Sequence, residues 1–196
     1  AAGNGNTKVV LFFNGGQSDG TATDIYYIDD FKFLPMDCSA IVENCSGVNP
    51  DLSIINDFDC QNNQDIEANA PVVANPMVSC ENRSSNVGKF TDDGTNAWDN
   101  LNIDFGAPID LSTNNQLKFK VLSNKAAPIL AKLEGGTAAE IWGNITIVDQ
   151  WVEYAFDFSA SNGDNNTKVV LFFNAGETDG TNEDIYYLDN IRFETP

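Results

Sequence analysis

Histidine is absent from this sequence of 196 residues, and basic residues are scarce: lysine and arginine number 10 against 29 aspartates and glutamates, a formal net charge of −19. The absence of histidine excludes every histidine-based catalytic triad, metal site and general base. The shortage of basic residues argues against nucleic acid and anionic lipid as partners, because both are bound through positive surface. Catalysis or metal binding by carboxylate side chains remains possible.

Long apolar runs are also lacking. No stretch of about 18 apolar residues occurs, so the sequence predicts no insertion into a membrane. The chain is nevertheless 42% hydrophobic and contains 13 phenylalanines, which is enough apolar material for a folded core. A folded acidic protein is therefore expected, rather than an acidic disordered chain.

The chain contains an internal repeat with an offset of 160 residues. Residues 6–33 and 166–193 are identical at 19 of 28 positions. A repeat of this length at a domain-sized period is typical of tandem modules. We therefore expect residues 1–34 to be the C-terminal part of a preceding β-sandwich repeat, residues 35–53 to be a cysteine-containing linker and residues 54–196 to be a complete module.

The apolar strands within residues 1–34 would expose sheet edges if they stood alone, which is an aggregation hazard. We expect them either to complete a sandwich with another chain or to lie against the following module. Neighbouring copies of the same repeat are therefore expected partners.

The four cysteines are Cys38, Cys45, Cys60 and Cys80. Their spacing lacks the CxxC pairs that zinc sites favour, so disulfides are the preferred interpretation and a thiolate metal site is the alternative. Four cysteines allow three pairings, of which the nearest-neighbour choice joins Cys38 to Cys45 and Cys60 to Cys80. Disulfides indicate an oxidising, extracellular setting, either secreted or at the cell surface.

Strand periodicity dominates the sequence, and helical patterns are nearly absent. Polar and apolar residues alternate in LKFKVLS (117–123), LNIDF (101–105) and WVEYAFDF (151–158), whereas TKVVLFFN (167–174) is apolar on both faces and suits a central strand. Turn-forming clusters separate these segments at the spacing of a sandwich. The sequence therefore predicts an all-β fold, an antiparallel β-sandwich of jelly-roll type in a tandem array with a period of about 160 residues.

An aspartate interrupts the last predicted strand, DIYYLDNIRF (184–193). By strand alternation, Asp189 is expected to share a face with the apolar residues Ile185, Tyr187, Ile191 and Phe193. An unpaired carboxylate buried there would cost several kcal/mol. Asp29 holds the matching position in the first copy.

Calcium would satisfy these carboxylates, because it accepts carboxylate and carbonyl oxygens in flexible geometry. The first strand, INDFDC (55–60), supplies Asp57 and Asp59, and the first and last strands of a sandwich often lie side by side. We therefore predict a structural calcium ion with Asp57, Asp59, Asp189 and Asp29 as candidate ligands. The alternative is a hydrogen-bonded aspartate or one that faces solvent.

A second acidic loop, TDGTNED (178–184), has Asp179 and Asp184 at its ends. Both are further candidate calcium ligands, although such loops are also ordinary turns whose side chains bond their own backbone. The loop TDDGTNAWDN (91–100) has the same two interpretations.

Three tryptophans suggest a surface for sugars. Trp98 lies in an acidic loop, Trp142 follows a glycine-containing turn, and Trp151 occupies the polar face of a predicted strand. Sugar-binding surfaces use exposed aromatic rings because the C–H side of a pyranose stacks on them. The alternative for each tryptophan is half-buried packing.

Polar residues that could take sugar hydroxyls accompany these tryptophans. Lys132 and Glu134 share a polar strand face, and Arg83 also fits hydroxyl recognition. An enzyme is not indicated, because no nucleophile elbow, phosphate loop or thiol–histidine pair is present. A carboxylate pair for glycoside hydrolysis can always be nominated among 29 acidic residues, so its presence decides nothing.

Several phrases of the sequence, in their order, resemble a known family: DFDCQ (57–61), VVANP (72–76), NRSSNVGKFT (82–91), APILAKLEGG (127–136), QWVEYAFDFS (150–159), TKVVLFFN (167–174) and DIYYLDNIRFE (184–194). They are similar to the carbohydrate-binding-module-like jelly rolls, akin to the galactose-binding-like superfamily, of secreted or surface Bacteroidetes proteins. The resemblance covers residues 54–196. It implies a structural calcium role for Asp59, with Asp57, and for Asp189. It also implies that Asn86, Lys132, Glu134 and a loop tryptophan lie near a concave glycan-binding face.

Two functions follow from these observations. The first is a non-catalytic extracellular carbohydrate-binding module of a multi-repeat protein, stabilised by calcium, whose partner is a polysaccharide or cell-surface glycan. The alternative is a structural tandem repeat of a cell-surface adhesin or extracellular fibre without a glycan ligand. If Trp98, Trp142 and Trp151 lie together on one exposed face, the first function is favoured; scattered or buried tryptophans favour the second.

Overall fold

In the computed structural model of the chain, the described residues are 10, 11, 13, 20, 21, 24–28 and 37–196. The chain divides into two compact units, Ala1–Met36 and Asp37–Pro196. Most of the predicted linker therefore clusters with the module that follows it.

The second unit is built almost entirely of strands. In chain order these are β1 (Ile54–Asn56), β2 (Val72–Ala74), β3 (Asn86–Asp92), β4 (Asn100–Asp104), β5 (Gln116–Ser123), β6 (Ala127–Glu134), β7 (Ala139–Ile145), β8 (Trp151–Asp157), β9 (Lys168–Phe173) and β10 (Asp184–Glu194). A single 3₁₀ turn, Ser159–Ser161, is the only helical element between residues 37 and 196. Over the described part of the chain, no helix has the length and apolar character needed to cross a membrane.

The strands form two antiparallel sheets that face each other. The six-stranded sheet has the order β2-β3-β10-β5-β8, and β1 also pairs with β10; the four-stranded sheet has the order β4-β9-β6-β7. Neighbours in space are mostly distant in sequence, as in a jelly roll. The predicted antiparallel β-sandwich of jelly-roll type is confirmed.

Sequence alternation determines which side chains fill the space between the sheets. In β5, Leu117, Phe119 and Val121 are buried in the main core, as the pattern of LKFKVLS predicts. The Phe173 ring from the facing sheet lies 6.3 Å from Phe119 and 5.0 Å from Tyr186, measured between centroids. Burial of this aromatic and aliphatic surface is the main source of stability.

Strand β9 is apolar on both faces, as predicted for a central strand. Val169, Leu171 and Phe173 belong to the main core. Val170 and Phe172 belong to a second, smaller cluster, which strand alternation places on the outer face of the four-stranded sheet. This outer cluster lies beneath the candidate site described below.

A β-bulge in β10 reverses the side-chain alternation next to Asp189. The register against β5 shifts between Asp189 and Arg192, and Asn190 has a left-handed backbone with a φ of 55°. The core residues on the two sides of the bulge are Tyr186, Leu188, Ile191 and Phe193. The prediction that Asp189 shares a face with Ile191 and Phe193 is therefore wrong. Asp189 lies on the outer face of the six-stranded sheet, and only 1% of it is exposed.

All four cysteines form disulfides, but not in the nearest-neighbour arrangement. Cys38 pairs with Cys80, and Cys45 pairs with Cys60. Each bond therefore joins the predicted linker to the module, and the predicted pairing is wrong.

The reason is that the linker lies along the module instead of looping back on itself. The Ile41 amide donates to the Arg83 carbonyl at 2.8 Å, and Ile41 forms a parallel bridge with Ser84. The Gln61 side chain accepts from the Asp51 amide at 2.9 Å and donates to the Asn49 carbonyl at 3.1 Å. These contacts bring each linker cysteine to a cysteine of the module.

Removing the Cys45–Cys60 disulfide is expected to destabilise the module. Its two cysteines are 15 residues apart in sequence, and closing a loop of this size restricts the unfolded chain by about 3 kcal/mol. We expect the free energy of unfolding of the Cys45→Ala/Cys60→Ala variant, measured by urea titration, to fall by about 2–4 kcal/mol. An unchanged free energy of unfolding would contradict the anchoring of the linker.

The described residues of the first unit repeat local geometry found in the second. The rings of Phe13 and Tyr26 stack with centroids 5.1 Å apart at an angle of 29°. Their counterparts 160 positions later, Phe173 and Tyr186, stack at 5.0 Å and 24°. Asp29 lies outside the described residues. The tandem array itself stays a prediction.

Candidate functional site

The outer face of the four-stranded sheet carries two of the three tryptophans. Trp142 lies on β7 and is 53% exposed, and Trp98 lies in the loop between β3 and β4 and is 47% exposed. Their ring centroids are 6.4 Å apart, and the ring planes meet at 73°. The two indoles therefore form one exposed aromatic surface.

A row of apolar side chains crosses the sheet and ends at Trp142. The strand register places Leu130 of β6 between Phe172 of β9 and Trp142 of β7. The Trp98 ring packs edge-on against Phe172, with centroids 5.9 Å apart and an angle of 88°. The apolar row therefore contains Trp142 and supports Trp98 through Phe172.

A polar row runs parallel to the apolar one. In the register, Lys132 of β6 lies beside Glu140 of β7 on one side and Val170 of β9 on the other, and Asn102 of β4 follows Val170. Lys132 Nζ lies 2.9 Å from Glu134 Oε1 and 3.1 Å from Glu140 Oε1. The bonds to Glu134 and Glu140 raise the pKa of Lys132, so this group is an ammonium at neutral pH.

A groove of about 330 Å³ lies between the two rows, lined by Trp98, Leu130, Lys132, Glu140 and Phe172. This volume is at the lower end of the range for small-ligand pockets. One wall is aromatic and the other carries charged hydrogen-bonding groups. The C–H side of a sugar ring can stack on the first wall, while its hydroxyls bond to the second.

Hydrogen bonds hold the Trp98 loop in position. The Trp98 amide donates to Asn96 Oδ1 at 3.1 Å, and the Trp98 carbonyl accepts from Asn100 Nδ2 at 3.0 Å. The Gly176 amide donates to the Ala97 carbonyl at 2.8 Å, which ties this loop to the one after β9. These bonds fix the backbone of the loop, and packing on Phe172 positions the indole, which lowers the entropy cost of binding.

A polar network joins the two acidic loops. Asn174 Nδ2 donates to Asp92 Oδ2 at 2.7 Å and to Asp179 Oδ1 at 2.9 Å. Gly180 packs directly on the Asp92 carboxylate, and a Cβ at this position would overlap with it. The loop that carries Trp98 is thus locked against the loop 178–184.

A lysine neutralises the two predicted ligands of the second acidic loop. Lys125 Nζ lies 2.7 Å from Asp179 Oδ1 and 3.2 Å from Asp184 Oδ2. The bond from Lys125 lowers the pKa of Asp179. Asp184 Oδ2 also accepts the Thr181 amide at 2.8 Å. Asp179 and Asp184 are therefore already paired with an ammonium group, so the structure gives no support to calcium at this loop.

Trp151 is not part of the exposed aromatic surface. It is only 5% exposed, packs with Val87 and Leu122 on the outer face of the six-stranded sheet, and donates its Nε1 proton to the Met77 carbonyl at 2.8 Å. The prediction of Trp151 as a sugar platform is wrong, since its ring is buried and its N–H is bonded to the Met77 carbonyl.

Asn86 and Arg83 also lie away from the tryptophan pair. Asn86 begins β3 of the opposite sheet and donates from Nδ2 to Asp59 Oδ1 at 2.7 Å. Arg83 Nε donates to the Ser39 carbonyl of the linker at 3.1 Å. Of the predicted glycan-contacting residues, the structure therefore brings together Trp98, Trp142, Lys132 and Glu134.

A second polar centre surrounds Asp59 and Asp189. As predicted for the first and last strands, β1 pairs with β10. Asp59 Oδ2 and both carboxylate oxygens of Asp189 are buried without a hydrogen-bond partner among the described residues. Burial raises the pKa of both carboxyls, to about 6 for Asp189, and the nearby Ser84 hydroxyl opposes the rise in each. Both side chains thus lie near Ser84 and carry unsatisfied oxygens.

Unsatisfied buried carboxylate oxygens fit a calcium ion, which prefers oxygen ligands. Asp57 uses one oxygen otherwise, because its Oδ1 accepts the amides of Asp59 at 3.0 Å and Gln61 at 2.8 Å. Within the described residues, no three acidic, cysteine or histidine side chains converge as a metal-binding group. A cation here would therefore need neutral oxygens, such as the Ser84 hydroxyl, besides Asp59 and Asp189.

In EDTA, Asp189 is expected to make the protein less stable as the pH rises from about 4 to about 6. Its pKa is about 6 in the folded chain but about 3.9 when unfolded, so in this range the folded state binds more protons than the unfolded one. The resulting contribution of about 3 kcal/mol is present below pH ~4 and lost above pH ~6.

The Asp189→Asn variant lacks this titration and serves as the reference. We expect the free energy of unfolding of the original protein, relative to that of Asp189→Asn, to be lower at pH 7 than at pH 4 in urea titrations containing EDTA. The same difference at both pH values would contradict the burial of the Asp189 carboxyl.

Sequence reasoning missed Leu130, Phe172 and Glu140, which line the groove beside the predicted residues. One signal was present for Phe172: the segment 167–174 is apolar on both faces, and one of those faces belongs to the outer surface of the sheet. The register that brings Glu140 to Lys132 depends on the turn between β6 and β7, and no pattern in the sequence specifies it.

No protein-family model and no curated protein sequence matches the chain. Among solved structures, SGBP-B from a complex xyloglucan utilization locus in Bacteroides uniformis is similar, with a TM-score of 0.51 and 14% identity over 74% of this chain and 50% of that one. An exo-beta-agarase is similar with a TM-score of 0.51 and 15% identity, over 65% of this chain and 22% of that one. The similarity establishes the fold alone. The chain thus spans half of the first relative and about a fifth of the second.

Proposed function

We propose that the module formed by residues 37–196 is a non-catalytic carbohydrate-binding module whose ligand, a polysaccharide or cell-surface glycan, lies across Trp98 and Trp142. The observation that carries this proposal is the exposed pair of indoles above a groove with one aromatic and one polar wall. Sugars bind to such surfaces by stacking of their C–H faces, combined with hydrogen bonds at the ring edge.

The polar wall supplies the hydrogen bonds. Glu140 and Glu134 are each bonded to Lys132 through a single oxygen, so their remaining lone pairs can accept sugar hydroxyls. Asn102 extends the same row on the exposed surface of β4 and offers both a donor and an acceptor. A chain of sugar residues laid across the sheet would meet such groups along its length.

The structural relatives agree with a role in glycan binding. One is a protein from a xyloglucan utilization locus and the other is an agarase; in the second, this chain matches only 22% of the enzyme. We infer a binding role without catalysis, since Glu140, the acidic residue that lines the groove, and its neighbour Glu134 are both paired with Lys132, which leaves no free acid and free nucleophile there.

We further propose that calcium stabilises the module at Asp59 and Asp189, with the Ser84 hydroxyl close by. The ion would neutralise two carboxylates whose buried oxygens lack partners. Asn86 would hold Asp59 in place through its bond at 2.7 Å. A cation at this position would join the segment that follows β1 to strand β10, and so stabilise the sheet near both of its chain ends.

An extracellular location, secreted or at the cell surface, is proposed from the two disulfides. The sequence repeat at an offset of 160 residues supports a multi-repeat protein in which copies of the same module are neighbours. Presentation of several weak sites on one chain would raise the overall avidity for a polymer.

The second candidate is a structural repeat of a surface adhesin or extracellular fibre. The observation that favours it is the pair of disulfides that fastens the linker to the module, because such bonds protect connections between repeats from proteolysis and unfolding. The exposed tryptophan pair has no role in this alternative.

Affinity electrophoresis of the chain, with calcium in the gel, tests the proposed function. Gels containing xyloglucan, a soluble β-glucan, galactomannan, agarose, alginate or pectin are compared with a gel without polysaccharide. Retardation by at least one polysaccharide is expected. Equal mobility in every gel would contradict the proposed function and favour the structural repeat.

A further inference from the structure

The charges on the tryptophan-bearing face are already paired with one another. Lys132 contacts Glu134 and Glu140, and Lys168 of β9 contacts Asp104 of β4 at 3.0 Å. The register places both lysines on the outer surface of the four-stranded sheet. Neither is an isolated cation that could bind the carboxylate of a ligand.

Acidic groups outnumber basic ones on this face. Lys132 and Lys168 stand against Asp104, Glu134 and Glu140 in the two ion-pair groups, which leaves one negative charge. The whole chain carries a formal net charge of −19. An anionic polymer approaching the groove would therefore meet repulsion from the site and from the rest of the protein.

The paired carboxylates are, by contrast, suited to hydroxyl groups. An ionised carboxylate only accepts hydrogen bonds, and a sugar hydroxyl can donate one. Stacking on Trp98 and Trp142 needs only the C–H side of the ring and no charge on the sugar. The paired carboxylates and the two indoles together can bind a neutral sugar, but they provide no cationic partner for the carboxylate of a uronic acid.

We propose that this face selects uncharged polysaccharides and rejects polyuronates, with Glu134 and Glu140 as the specificity-determining residues because they neutralise Lys132. This inference rests on the proposed glycan-binding function. It assigns to the two glutamates a role in discrimination in addition to any hydrogen bond with the ligand. If they were neutral, Lys132 would become an unpaired ammonium next to the aromatic wall, and a uronate could bind there.

Calorimetric titrations of the chain with neutral and acidic hexasaccharides test the proposal. The probes are β-1,4-linked glucose and mannose hexamers and a xyloglucan oligosaccharide, compared with hexamers of galacturonate and of alginate, in calcium at low and moderate salt. We expect the original chain to bind at least one neutral probe, and to bind neither uronate within the measurable range.

The variant Glu134→Gln/Glu140→Gln is expected to gain affinity for a uronate hexamer by at least about fivefold at low salt, and to lose that gain as salt increases. The matched control is Glu67→Gln/Glu81→Gln, which changes the net charge by the same amount at two exposed glutamates outside the four-stranded sheet. It should not gain uronate binding.

The outcomes separate this inference from the proposed function. Uronate binding by the original chain at least as tight as that of every neutral probe overturns the selectivity but leaves glycan binding in place. Equal uronate binding by the two double variants overturns the role of Glu134 and Glu140. An original chain that binds no probe at all overturns the proposed function, and the inference with it.

Discussion

Replacing Trp98 with alanine is expected to lower the affinity for the bound polysaccharide by at least about 30-fold. Trp98 forms a wall of the groove and contacts both Trp142 and Phe172. Truncation of an aromatic residue at the centre of a binding surface commonly costs about 2 kcal/mol or more, and this energy corresponds to a loss of about that factor. The measurement is a titration with whichever polysaccharide retards the chain most strongly.

Two further variants make the Trp98 result interpretable. Trp142→Ala should weaken binding in the same direction, because its exposed ring belongs to the same surface. Trp151→Phe is the matched control: it keeps an aromatic ring in the buried cluster with Val87 and Leu122, and should leave affinity unchanged. Undiminished affinity in both Trp98→Ala and Trp142→Ala would place the ligand elsewhere.

Removing calcium with EDTA is expected to lower the melting temperature by about 5–10 °C relative to a solution with calcium at about 100 times its dissociation constant. Binding to the folded state alone at that concentration stabilises it by about 2.7 kcal/mol, and each kcal/mol shifts the melting temperature of a chain of this size by about 2–4 °C. The physical reason is the set of partnerless buried oxygens on Asp59 and Asp189.

The matched variants Asp189→Asn and Asp179→Asn distinguish this centre from the acidic loop. In Asp189→Asn the dependence of the melting temperature on calcium should disappear. It should persist in Asp179→Asn, because Asp179 is bonded to Lys125 at 2.7 Å and is not a proposed ligand. Equal melting temperatures of the original protein in EDTA and in calcium would contradict the calcium proposal.

The sandwich could be predicted from the sequence because its strands satisfy simple local rules. Strand β5 alternates and buries Leu117, Phe119 and Val121, and the doubly apolar segment 167–174 contains the central strand β9. These patterns depend on residues close together in the chain. They fix the fold class without specifying which strands are neighbours.

Two features could not be predicted: the face on which Asp189 lies and the disulfide pairing. The first depends on the backbone of a single residue, and the second on contacts between residues distant in sequence. The left-handed backbone of Asn190 shifts the alternation of β10, so extending the pattern past Asp189 gave the wrong face. The disulfide pairing depends on the path of the linker along residues 83 and 84, which no cysteine spacing reveals.

The candidate site shows the same division. Residue type indicated that Trp98 and Trp142 could bind sugars, and they lie together. Trp151 has the same chemistry but is buried, with its N–H bonded to the Met77 carbonyl. Similarly, the loop of Asp179 has the composition of a metal site. Lys125, which is more than 50 positions away in sequence, pairs with the Asp179 carboxylate and neutralises its charge. Composition alone does not distinguish an exposed tryptophan from a buried one, or a metal site from an ion pair, because tertiary packing determines which of them forms.

The indole N–H signals of the three tryptophans show whether the glycan lies on the face formed by Trp98 and Trp142. In a ¹⁵N-labelled chain, Trp98, Trp142 and Trp151 each contribute one such signal, and titration with the bound oligosaccharide is followed by NMR. We expect the Trp98 and Trp142 signals to shift, while that of Trp151, whose proton is bonded to the Met77 carbonyl, stays in place. A saturable shift of Trp151 with the other two signals unmoved would contradict that placement of the glycan.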